Sequence, residues 1–222
     1  MPTEQQKIAI DYYSDVLCVW AWIAQPRLEK LQAEWGDAIL LRHRFVDVFG
    51  DAHRKIRKQW GDDEGFSRFG EHVREAAGGH AHTQLHGGLW SVVRPRSSQQ
   101  AHLMLRAATL VSGAEAGQNL ALALRKAFFC QGADISDIDQ LLSIANSCGL
   151  KEDSLRTALR SGEAIAALST DQRSAQELGV RGSPTWVLNE GRQMLYGNVG
   201  YRILHANIEE LIRQPSGEAS WC

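Results

Sequence analysis

The sequence predicts an α/β fold interrupted by a large all-helical insertion, and three observations carry that expectation. Two strand-like runs, residues 7–13 (KIAIDYY) and 38–46 (AILLRHRFV), bracket an amphipathic helical stretch. From Gly50 to about Gly162 the apolar residues keep helical spacing with no strand between them. Beyond residue 170 the pattern returns to helix, strand, turn, strand and helix.

Taken in order, KIAIDYY alternates and ends in aromatics as a buried strand would, and Ser14-Asp15 breaks it. From Cys18 to Trp35, Trp22, Ile23, Leu28 and Leu31 fall at helical spacing and Gly36 stands where a helix stops. Pro26 lies inside that helix, where a missing N–H and a clash with the preceding turn predict a kink. The insertion reads as FSRFGEHVREAA, SSQQAHLMLRAATLV, AGQNLALALRKAFFCQG, SDIDQLLSIANSCG and KEDSLRTALRSG, each closed by or near glycine. The tail reads as helix TDQRSAQELG, strand PTWVLN, a turn at Asn189-Glu190-Gly191-Arg192, strand QMLYG and the amphipathic helix YRILHANIEELIR. PSGEASWC closes the chain as a loose end.

Composition narrows the function. A chain of 222 residues, 44% hydrophobic and 23% charged with a formal charge of −2, reads as an ordinary globular protein without the basic field that attracts nucleic acid or anionic membrane. No apolar run approaches the ~20 residues of a membrane span, and the first residues lack a secretory pattern, so a cytoplasmic location is expected. Cys18, Cys130, Cys148 and Cys222 form no CxxC or CxxH cluster, which argues against structural zinc and against a disulfide framework.

Two motifs carry chemistry. Cys18-Val-Trp-Ala-Trp-Ile-Ala-Gln-Pro26 places a thiol at a helix start, where unpaired N–H groups and the helix dipole favour thiolate. Gly179-Val-Arg-Gly-Ser-Pro-Thr185 places Pro184 in a loop just before a strand. The first resembles the nucleophilic-cysteine helix of thioredoxin-like proteins and the second their cis-proline loop. With the intervening helices, RPRSSQQAHLMLRAA and ALRKAFFCQGADISDIDQLLSIANSCGL above all, the chain resembles the FrnE-like branch of the DsbA family over nearly its whole length. That branch is related to 2-hydroxychromene-2-carboxylate isomerases and kappa-class glutathione transferases.

The resemblance implies a discontinuous thioredoxin-like domain, residues 1–48 and 170–222, around a helical insertion domain, residues 49–169. It also implies thiol-disulfide exchange at Cys18, with glutathione as co-substrate and no metal. Gly182, Ser183 and Pro184 would align a cysteinyl partner along the backbone of Ser183. The position three after Cys18 is Ala21, so the motif holds no resolving thiol and the exchange would be monothiol. In the isomerase and transferase relatives a serine replaces the cysteine and an Asp-Arg pair holds the glutathione γ-glutamyl group; Asn198 would substitute for that pair in part. A glutathione-dependent isomerase or transferase is therefore the second reading, and a non-catalytic binding module the third. The expected partners are small thiols or cysteinyl substrates, with no nucleic acid and no membrane; a homodimer stays open.

Other residues have simpler readings. Cys130 and Cys148 read as core, and Cys222 as a bystander with resolution of a Cys18 disulfide as its minor alternative. Trp22 is expected to pack inward beside the thiol and Trp20 to line the groove. His80, His82 and His86 form a loop suited to adventitious metal or a substrate touch. The run His53-Arg-Lys-Ile-Arg-Lys58 is a solvated helix face; it, or Arg94 and Arg96, is the candidate receiver of a carboxylate.

Overall fold

The computed structural model describes residues 7–214. Strand β1 (Ile8–Ser14) is buried along its whole length, as a central strand must be, and pairs in parallel with β2 (Ile39–Phe45). On its other side it pairs antiparallel with β3 (Thr185–Leu188), which pairs antiparallel with β4 (Gln193–Tyr196), giving the order β2-β1-β3-β4. The β3–β4 turn passes through Asn189, Glu190 and Gly191 at positive φ, which the Asn and Gly accommodate most readily.

Alternation along β1 divides the core. Ile8, Ile10 and Tyr12 face Leu28 and Leu31 of α2 (Gln25–Trp35) and Leu204, Ile208 and Leu211 of α9 (Tyr201–Arg213). Tyr13 and Val187 face the opposite way, toward Ala175 of α8 (Glu163–Glu177). Each fully buried aliphatic side chain in these clusters contributes about 1.5–3 kcal/mol.

The first helix is broken as Pro26 predicts. A short helix α1 (Val19–Ile23) ends at Ala24, and α2 restarts with proline in its first turn, where the missing N–H costs nothing. The insertion comprises α3 (Ala52–Trp60), α4 (Gly65–Gly78), α5 (Gln99–Gln131), α6 (Ile138–Ser147) and α7 (Glu152–Arg160). Its core is continuous with the α1 segment: Val16, Leu17, Cys18 and Ile23 share one cluster with Phe66, Trp90, Met104, Phe128 and Phe129.

Two elements differ from the sequence reading. The two helices expected over 97–111 and 116–132 run as one element, α5, interrupted only at Gly113, whose φ of 87° and ψ of 175° no helix contains. The helix expected from Thr170 begins at Glu163, because Gly162 caps it in the left-handed conformation and Ala164 and Leu168 are buried in the insertion core. Asp171 sits in the middle of that helix, fully buried, accepting from Arg106, from Arg44 at 3.2 Å and from the Phe45 amide at 3.2 Å. It ties α8 to α5 and β2.

Candidate active site

Cys18 is the N-cap of α1. Its amide donates to Asp15 O at 3.1 Å, and its carbonyl accepts from Ala21 and Trp22, both at 3.1 Å. The Ser183–Pro184 bond is cis, and Cys18 Sγ donates to Ser183 O at 3.2 Å. The loop carrying Ser183 is tied down on three sides. Ser183 Oγ accepts from the Asp15 amide at 2.9 Å, Pro184 O from the Gly197 amide at 2.8 Å, and Gly182 O from Thr185 Oγ1 at 2.8 Å.

Beneath the sulfur, Asp15 is fully buried and works as a junction. Its Oδ1 accepts from the Leu17 amide at 2.9 Å, and its Oδ2 from Val48 and Phe49 amides at 3.0 and 2.8 Å and from Ser98 Oγ at 2.8 Å. His102 Nε2 accepts from the Val16 amide at 3.1 Å. One carboxylate thus fixes the β1–α1 turn, the segment after β2 and the start of α5 against each other; its protonation or loss would leave several buried donors without partners.

Cys18 is 6% exposed and lies on a groove of about 370 Å³. Trp20, Phe49 and Phe69 supply its apolar walls, while Lys55, Arg181, Asp47, His72 and Tyr196 stand around them. Gly182 forms part of the floor: a Cβ there would lie 3.0 Å from the Tyr196 hydroxyl. Lys55 lies 5.6 Å from the Phe49 ring centroid. The groove thus combines two cations, one carboxylate, aromatic walls and a peptide edge beside the sulfur, an arrangement able to receive an extended ligand bearing carboxylates.

Electrostatics at the sulfur overturn one expectation. Burial pushes the Cys18 thiol above its ordinary value, the Ser183 side chain and the Ala21 amide pull it down, and the Asp15 charge adds to the rise. The helix-terminal effect loses because α1 has five residues and is interrupted at Ala24, so few aligned dipoles act on a sulfur already removed from water.

The remaining sequence candidates separate. Trp20 lines the groove with Gly182 and Ser183, and buried Pro184 stands next to them in the chain. Trp22 lies below it, stacked on Phe129 at 5.8 Å with its Nε1 donating to Gln84 O at 3.3 Å. Asn198 is exposed outside the groove, its Nδ2 3.5 Å from His80 Nε2. His82 meets Ile23 O at 3.2 Å, His86 accepts from the Gly88 amide at 3.2 Å, and no metal-holding group of His, Cys, Asp or Glu occurs among the described residues. Of the basic candidates Lys55 reaches the groove, whereas Arg94 caps Ser91 O and Arg96 meets His53.

Two cysteine expectations are corrected. Cys148 is exposed because it follows α6 beyond the buried stripe of Leu141, Leu142 and Ala145, and Cys130 is only partly buried, its Sγ 3.6 Å from Gln84 O. Cys222 lies outside the described residues. Sequence reasoning missed Asp15, Asp47, Arg181 and Tyr196; only the position of Arg181, two residues before Ser183, gave any signal.

The DSBA-like thioredoxin domain family matches residues 9–209. Among curated relatives, the ClpXP adapter protein SpxH of Halalkalibacterium halodurans is 27% identical over an alignment covering 96% of this chain and 72% of the adapter. Alignments with two further SpxH adapters cover 58% of their length. Among solved structures, the cytosolic disulfide reductase DsbM from Pseudomonas aeruginosa with GSH superposes with a TM-score of 0.67 at 19% identity, over 93% of this chain and 100% of that one. A 2-hydroxychromene-2-carboxylate isomerase gives 0.64 at 19% identity, over 93% and 97%. At these identities the structural likeness is one of fold. No helix among the described residues is long and apolar enough to cross a membrane.

Proposed function

We propose, from the premise that this chain belongs to the DSBA-like thioredoxin domain family, that it is a monothiol thiol-disulfide oxidoreductase of the cytoplasm using glutathione as co-substrate. The observation that carries this reading is a single sulfur, Cys18, hydrogen-bonded to the carbonyl before Pro184 at the floor of an open groove, with Ala21 where a second thiol would stand.

The Cys18 thiolate attacks one sulfur of a substrate disulfide; the Cys18–sulfur bond forms, the old S–S bond breaks, and the second substrate sulfur leaves as thiolate. Ala21 offers no internal nucleophile, so Cys18 is recovered when an external thiolate attacks the mixed disulfide and takes the bound group as a new disulfide. No net electrons are gained or lost by the protein, and partner thiols are reshuffled, glutathionylated or deglutathionylated. Lys55 and Arg181 would receive substrate carboxylates, and the extended edge at Ser183 would align the cysteinyl backbone.

Replacement of Cys18 by serine is expected to reduce glutathione-dependent turnover of a small mixed disulfide to the uncatalysed rate while leaving the far-ultraviolet circular dichroism spectrum intact. Retained or increased activity of that variant on a chromene-type substrate would instead select the isomerase or transferase reading. The geometry favours exchange, because Asn198, the expected surrogate for the γ-glutamyl contacts, lies outside the groove.

The third reading, a non-catalytic binding module, is favoured by the burial of Cys18 and by Ala21 in place of a second thiol. The curated SpxH relatives are named as adapters, which fits such a role. Under it, the wild-type chain would show no exchange above background and the Cys18→Ser variant would keep its partner.

A further inference from the structure

Arg125, on α5, is fully buried, although an arginine is seldom removed from water without an ionic partner. Its two hydrogen bonds go to neutral oxygens: Nη2 donates to Ser14 Oγ at 2.8 Å and Nη1 to Gln25 Oε1 at 3.2 Å. Its Nε finds no acceptor among the described residues, and no ion pair between them includes it. Arg106, the other buried arginine of the same helix, has the Asp171 carboxylate.

The placement of the two acceptors is informative. Ser14 ends β1, four residues before the sulfur, and Gln25 opens α2 directly after α1. The guanidinium is therefore held against both ends of the segment that presents Cys18. The other groups around it do not neutralise it directly. Asp15 contributes a favourable charge but spends its hydrogen bonds on three amides and Ser98, none of them on the guanidinium. Tyr12, its hydroxyl 3.5 Å from Ala21 O, is pushed far upward by burial and stays a neutral phenol. His43 and His102 are both held neutral by burial.

We propose that Arg125 is the buried counter-charge of the Cys18 thiolate, a positioning residue that acts through the field beneath α1 rather than by touching substrate. The proposal rests on Cys18 being the reacting sulfur. With Cys18 protonated, the guanidinium has no hydrogen-bonded anion and only the charge of Asp15 nearby; ionisation of Cys18 adds a negative charge on the segment whose two ends Arg125 holds. In a medium of low polarisability such a cation offsets part of the cost of forming the anion. Lys55, Arg181, Asp47 and His72 face the sulfur from the groove side, in contact with water, and their charges are screened more strongly.

The test is the pH dependence of Cys18 alkylation by iodoacetamide, read on the Cys18 peptide by mass spectrometry in the full-length wild type, Arg125→Gln and Arg125→Lys. Glutamine keeps hydrogen-bonding capacity without charge and should raise the alkylation midpoint by about one pH unit or more, slowing the reaction about tenfold at pH 7. Lysine should stay close to wild type, and the three rates should converge at high pH. Equal midpoints in folded Arg125→Gln and wild type, or equal shifts with glutamine and lysine, overturn the proposal.

A second comparison works if Arg125→Gln does not fold: Cys18→Asp should unfold at higher urea than Cys18→Asn at pH 7, and the reverse order overturns the counter-charge. A wild-type Cys18 that resists alkylation up to pH 10 sinks the exchange reading together with this one. Normal titration without response to the charge at position 125 sinks this one alone.

Discussion

At the scale of single residues, the decisive quantity is how far Cys18 is from being a thiolate. Burial raises the thiol, so the reactive fraction at neutral pH is below that of a free cysteine. The sign follows directly: thiolate accumulates as pH rises through an elevated midpoint, and reactivity rises with it. Alkylation of Cys18 is expected to be slow at pH 5.5 and to increase about tenfold per pH unit up to at least pH 8, measured by quantitative mass spectrometry of the Cys18 peptide. A rate already at its plateau at pH 6 would show that the Trp20 and Ala21 amides and Arg125 outweigh desolvation. Cys18 and Pro184 were legible in the sequence because each lies in a short local motif whose spacing has a physical reason. Asp47, Lys55 and Arg181 line the groove from three separated segments, and Asp15 and Arg125 brace the Cys18 segment from two more; no local pattern marks such an arrangement. Lys55 was legible only as one charge of the run His53–Lys58, a solvated helix face and candidate carboxylate receiver, and the sequence does not say which member of the run reaches the groove.

At the scale of elements, the strands and most helices were legible because burial imposes a period on them. KIAIDYY became β1 and YRILHANIEELIR became α9 with little change of bounds. The start of α8 was not legible: EAIAALS is alanine-rich and only weakly amphipathic, and the left-handed Gly162 that caps it is visible only in the backbone. The anchor of α8 is Asp171, whose carboxylate answers Arg106, Arg44 and the Phe45 amide. Removing one partner of such a cluster leaves buried charge without compensation, which costs more than the pair contributes. Asp171→Asn is therefore expected to lower stability by about 3–5 kcal/mol, read from urea unfolding at pH 7. A loss under about 1 kcal/mol would mean that water reaches Arg106 and that the cluster is a surface pair in effect.

At the scale of the whole molecule, groups whose proton affinity changes on folding set the pH range in which the fold is stable. His43 is pushed down to about 3 by burial and then by the Arg125 and Arg106 charges, and His102 is lowered by burial as well. An unfolded histidine takes up its proton near pH 6.5, whereas the folded His43 stays neutral until about pH 3. Between these values the unfolded chain binds more protons, so stability is lost as pH falls through that window. Glu34, held low first by the Tyr201 hydroxyl, acts in the same direction. On the alkaline side the sign reverses: Cys18 and Tyr12 hold their protons more tightly folded than unfolded, so their contribution disappears as pH climbs past the ordinary thiol and phenol values. The urea midpoint is thus expected to be highest around neutrality and to decline on both sides, more steeply below pH 6.5. His43→Gln should flatten the acid limb, since its amide takes up no proton in either state. An acid limb that is flat from pH 6.5 to 4.5 in the wild type would show that His43 does not stay neutral in the fold over that range, and one unchanged in His43→Gln would place the acid sensitivity elsewhere.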